Sequence, residues 1–90
     1  DVYKRQSILF DNQTGQDLQI FWLDQDGKRQ RPDTIAAGQK DMVRTSFGHA
    51  WLVADKDGKA IAIYVAEKTP GKVVLKAVPK GERMRNQLRK

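Results

Sequence analysis

His49-Ala50-Trp51-Leu52-Val53-Ala54, then Asp55-Lys56-Asp57-Gly58-Lys59, then Ala60-Ile61-Ala62-Ile63-Tyr64-Val65-Ala66 is the stretch that decides the fold class. Two runs of β-branched, aromatic and small apolar residues flank Asp57-Gly58, the pairing that most strongly marks a tight hairpin. In the first run His49, Trp51 and Val53 share one face, and Ala50, Leu52 and Ala54 the other. In the second, Ile61, Ile63 and Val65 fall on one face, which predicts that this face is buried.

The same period of two extends outward in both directions. Upstream, Ser7–Asp11 reads as a first strand ended by Asn12-Gln13-Thr14-Gly15, where Gly15 can supply a positive φ. Residues 17–23 alternate as a second strand, with Leu18, Ile20 and Trp22 on its apolar face, and Asp26-Gly27 turns the chain. Residues 28–30 predict a short third strand, followed by an irregular segment around Pro32 and Ala36-Ala37-Gly38. Residues 41–46 resume a strand that Gly48 breaks, and after Pro70-Gly71 residues 72–78 form the last one. Seven short strands with closely spaced turns predict an all-β, seven-stranded antiparallel β-sandwich, with Ile20, Val43, Leu52 and Ile63 among its buried residues.

Ninety residues fit one domain, here residues 6–78, followed by a basic tail over residues 79–90. In that tail Lys80, Arg83, Arg85, Arg89 and Lys90 against Glu82 leave +4 of the +6 net charge, and the other 79 residues carry +2. A spacing of four between Met84 and Leu88 is compatible with a short helix there. No apolar stretch approaches a membrane span, and no membrane partner is expected. The chain begins at Asp1 with a polar stretch, which reads as a processed or excised chain.

The absence of Cys and the single His exclude disulfides, thiolate metal sites and an imidazole cluster, and no cofactor is expected. Asp24, Asp26 and Asp33 offer too few oxygens for a Ca²⁺ site and most simply serve turns. One His and scattered acids provide no nucleophile–base pair with recognisable spacing, so the chain does not read as an enzyme. Asn12-Gln13-Thr14 fits a glycosylation sequon, a triplet common by chance. A pI of 9.8, with aromatic residues beside basic ones, makes nucleic-acid binding the alternative function, although the basic residues concentrate in the tail.

Three elements carry a more specific reading: Phe21-Trp22-Leu23-Asp24-Gln25-Asp26-Gly27, Thr34-Ile35-Ala36-Ala37-Gly38, and Gly48-His49-Ala50-Trp51-Leu52. In order and spacing they resemble the β domain of the von Hippel-Lindau (VHL) family, and the resemblance covers roughly residues 6–78. It implies a seven-stranded sandwich that recognises an extended peptide containing hydroxyproline, the substrate-recognition part of a ubiquitin ligase. By the same resemblance Trp22 and Trp51 match two aromatic pocket walls, and His49 matches a histidine that bonds the ring hydroxyl. Thr45 stands at a serine that also bonds it, retaining a hydroxyl that donates and accepts. Pro32 stands where the family has a tyrosine, and Arg44 replaces a histidine beside the pocket. Lys80 and Met84 stand where the family's adaptor-binding helix wants Leu and Cys. Docking of an elongin and cullin adaptor by this chain is therefore not expected.

Overall fold

The computed structural model describes residues 5–77, and the expectations placed on the basic tail lie outside them. Seven strands run β1 (Arg5–Gln13), β2 (Leu18–Leu23), β3 (Arg29–Ile35), β4 (Lys40–Ser46), β5 (Ala50–Ala54), β6 (Ala60–Val65) and β7 (Gly71–Lys76). They form a three-stranded sheet in the order β4-β1-β7 and a four-stranded sheet in the order β3-β2-β5-β6. The all-β sandwich expected from the alternation is therefore the architecture. Its pairings are antiparallel except one: β7 joins β1 in parallel, with Ile8 opposite Gly71 and Asn12 opposite Leu75. The chain reaches that position by leaving the four-stranded sheet after β6 and crossing to the other layer through Pro70.

Between the layers lie Ile8, Phe10, Leu18, Ile20, Ile35, Val43, Trp51, Val53, Ala66 and Leu75, with Trp22, Tyr64 and Val73 packed at the margin. Phe10 is fully buried and meets Tyr64 edge-on at 6.0 Å between ring centroids, a favourable arrangement of their quadrupoles. Ile20, Val43 and Leu52 are buried as expected, but Ile63 is not: Ile61, Ile63 and Val65 are each 56% exposed. They do share a face. Trp51 and Val53 of β5 face the core, and their β6 partners are Tyr64 and Ala62. The Ile61, Ile63, Val65 face is thereby turned outward, on a strand at the sheet edge.

The third strand is longer than the sequence predicted and passes straight through Pro32. Ile20 pairs with Asp33 and Trp22 with Gln30, so two β3 residues, Arg31 and Pro32, stand opposite Phe21 in a β-bulge. An edge strand with a bulge tolerates a residue that has no N–H to give to a ladder.

Two turns repeat one design, Asp-x-Asp-Gly-Lys, at residues 24–28 and 55–59. In each the first Asp accepts from the backbone N–H of the residues two and four further on, at 2.9 Å. Its carbonyl accepts from the glycine N–H, and that glycine has φ of +78° or +86°, where a Cβ would be strained. The N–H of Lys28 and the Nε2 group of Gln30 hold the Asp24 carboxyl below the usual carboxylate range. These acids are consumed by the turns, and no cluster of three metal-ligating side chains exists among the described residues.

Asn12 is wholly buried, with both ends of its amide engaged inside the domain. Its place in the sequon triplet is thus accounted for by the fold, since a glycan on Nδ2 is incompatible with these buried bonds.

Asp41 on β4 and Asp33 on β3 meet where the two layers open. Burial, then a hydrogen bond with Asp33 and its charge, hold the Asp41 carboxyl above its ordinary value of 3.8. The fold thus favours the protonated form. That contribution is complete below the unfolded pKa and is lost as pH rises through the folded one. Asp41→Asn should therefore raise stability at pH 7 within the range of about 0–1 kcal/mol typical of exposed charge pairs, with the gain fading toward pH 3.8. Thermal melts of both proteins across pH 3–8 check it.

Candidate functional site

One open end of the sandwich holds a cavity of about 260 Å³ lined by Trp22, Arg31, Arg44, Thr45, Ser46, His49 and Trp51. The lining comes from four strands and one turn, so the fold rather than any local segment assembles it. Trp22 and Trp51 are direct cross-strand partners on β2 and β5, on the core-facing side with Ile20 and Val53. Trp51 is 4% exposed and serves the core as well as the cavity, whereas Trp22 is half-buried. The Trp51 indole donates to the Thr45 Oγ1 at 2.8 Å, which fixes that hydroxyl and leaves its own O–H free to donate.

His49 is positioned by backbone bonds on both sides. Its N–H donates to the Ser46 carbonyl at 3.0 Å, and its own carbonyl accepts from Ala66 at 2.9 Å. Gly48, at φ +88°, is the turn residue that makes this reversal between β4 and β5 strain-free. The imidazole lies against the Trp22 ring at 5.5 Å between centroids, tilted by 39°. The Trp22 indole Nε1–H is buried without an acceptor, a state that costs about 1–3 kcal/mol when nothing satisfies it.

The structure thus brings together Trp22, Arg44, Thr45, His49 and Trp51 of the residues singled out in the sequence, and adds Arg31 and Ser46. Pro32 is exposed on β3 and is not among the lining residues, so the position where the resemblance placed a tyrosine does not form a wall here. Its neighbour takes that side. Arg31 has φ +53°, the left-handed region that a residue with a Cβ enters at a cost of about 1–2 kcal/mol. The bulge holds it there, and its guanidinium lies 5.7 Å from the centre of the Trp22 ring, a cation–π contact. Nothing in the identity of Arg31 announces that conformation. The following Pro32 gives no signal for it either, since a residue before proline is pushed toward extended backbone.

The cavity can do three things chemically. Its indole surfaces can flank a small saturated ring, its Thr45 and His49 groups can bond a hydroxyl, and its arginines can meet an acceptor or an anion. It has no carboxylate and no thiol among its lining residues. No family model matches the chain, and no curated protein matches it.

Proposed function

We propose that this domain is a peptide-recognition module that seats a proline-like ring, hydroxylated at its Cγ, in the cavity between Trp22, Thr45, His49 and Trp51. The observation that carries the reading is convergence. Four residues separated by up to 29 positions line one cavity, and they are four of the five positions that the VHL-type resemblance assigns to ring binding, Pro32 being the fifth. The hydrogen-bonding groups have complementary capacities: Thr45 Oγ1 already accepts from Trp51 and has its proton to give, and His49 can take or give one at either nitrogen.

The strand β4 lies at the edge of the three-stranded sheet and ends in Thr45 and Ser46 at the cavity. Its unpaired backbone edge suits an extended peptide added as a further strand, with main-chain bonds giving affinity and the cavity giving selectivity. Selectivity for hydroxyproline over proline arises because plain proline, once seated, covers the polar groups of half-buried Thr45 and exposed His49 without pairing them.

Titration with matched peptides tests this. The hydroxyproline form should bind more tightly, and His49→Ala should weaken it by about 1–3 kcal/mol, the cost of losing a hydrogen-bond partner that the bound ring covers, while scarcely changing the proline form. Equal affinity for the two peptides in the unmodified protein would remove the hydroxyproline reading.

A further inference from the structure

We infer that the peptide accepted by this cavity carries an oxyanion, a carboxylate or a phosphate monoester, on the residue beside its ring, held by Arg31 and Arg44. The inference rests on the peptide-binding proposal above and names the chemistry of its ligand.

Two guanidinium groups line a cavity of about 260 Å³ that no carboxylate lines among the described residues. Neither arginine has an acidic partner among those residues: Arg31 lies on the Trp22 ring, and Arg44 projects from the edge strand β4. Both arginines are exposed at this open cavity, and like charges on one rim repel unless an acid lies nearby. Here none of the described residues supplies one. An anion entering with the ligand would be met by planar forks suited to carboxylate and phosphate.

The second observation is the backbone at Arg31. A left-handed conformation at a residue with a long side chain, directly before Pro32, is unfavourable by itself and persists only because the β3 bulge enforces it. An ordinary strand would give this position to glycine or would have no bulge. An arginine at a site whose backbone disfavours it is accounted for when the guanidinium itself is used. The Trp22 ring that the guanidinium covers also carries an indole N–H that is buried without an acceptor.

The experiment titrates the full chain with three extended peptides that share a central hydroxyproline and differ only at the next residue: Asp, Asn or phosphoserine. The Asp and phosphoserine peptides should bind at least about tenfold more tightly than the Asn peptide, consistent with two charge-assisted contacts. The preference should shrink in concentrated salt. In the double variant Arg31→Gly with Arg44→Gln, it should fall below about twofold. Glycine is chosen at residue 31 because it adopts positive φ without strain, and thermal melts should show the variant folded. Should it fail to fold, Arg44→Gln alone, on an exposed position, should still reduce the preference by more than half. A preference for phosphoserine alone would identify the source as a phosphate monoester. Equal binding of Asp, Asn and phosphoserine peptides overturns the inference and leaves the peptide reading standing. Absence of binding by all three removes both.

Discussion

Asn12→Ala is expected to destabilise the domain by about 3–4 kcal/mol, a large part of the 5–15 kcal/mol that holds a typical domain together. The side chain is 0% exposed and bonds four groups. Its Nδ2 donates to the carbonyls of Gln16 at 2.7 Å and Ile35 at 2.8 Å. Its Oδ1 accepts from the N–H of Thr14 at 3.0 Å and from the Thr14 hydroxyl at 2.7 Å. Its backbone also bonds Gln39 and Gly38, so one residue ties the end of β1 to the turn before β2 and to the end of β3. Alanine leaves a buried carbonyl on Ile35 unpaired, at about 1–3 kcal/mol. It also frees the turn groups, which recover part of their loss from water. Asn12→Asp should be damaging too, because it removes both donors and places a carboxylate against two carbonyls. Urea unfolding of each variant beside the parent gives the cost directly, and a loss under about 1 kcal/mol for alanine would show that the network is dispensable.

Trp22→Ala should lower the affinity for a hydroxyproline peptide by at least about 2 kcal/mol, roughly thirtyfold, the scale of an aromatic anchor at a binding hot spot. Trp22 is the half-buried indole of the cavity, stacked by His49 and covered by Arg31. Removing it takes away a wall and the surface that positions both neighbours. It should disturb folding less than Phe10→Ala, which empties the fully buried centre and costs about 3–5 kcal/mol. Trp22→Phe retains an apolar face and should recover much of the binding. A calorimetric titration of all three separates loss of the site from loss of the fold. Unchanged affinity in a folded Trp22→Ala protein would place the ligand elsewhere.

Much of the sandwich was legible because hydrophobic alternation and Asp-Gly turns are local signals. Both Asp-Gly turns follow from residue types alone, as do β2, β5 and β6 beside them. Two features were not legible, for one physical reason: each depends on which neighbour a strand has. Whether Ile61, Ile63 and Val65 face inward depends on β6 being an edge strand whose Tyr64 sits opposite Trp51. The path of β3 through Pro32 depends on a bulge against Phe21, which alternation cannot show. The buried role of Asn12 was hidden because a turn-forming residue reads the same whether its amide faces solvent or the core.

The site divides similarly. Trp22, Thr45, His49 and Trp51 were found through motif spacing, and they line the same cavity. Arg44 was noticed only as a replacement. Arg31 was missed, and Pro32 was selected in its stead, because the shift of one residue introduced by the bulge exchanges which of them reaches the cavity.

Amide and indole chemical-shift mapping of the labelled chain during addition of a hydroxyproline peptide tests the central claim most directly. The account predicts that the Nε1–H signals of Trp22 and Trp51 move furthest, with the amides of Arg31, Thr45 and His49 moving beside them. Shifts confined to the exposed outer face of β6, Ile61 to Val65, or an absence of change at both indoles would contradict it.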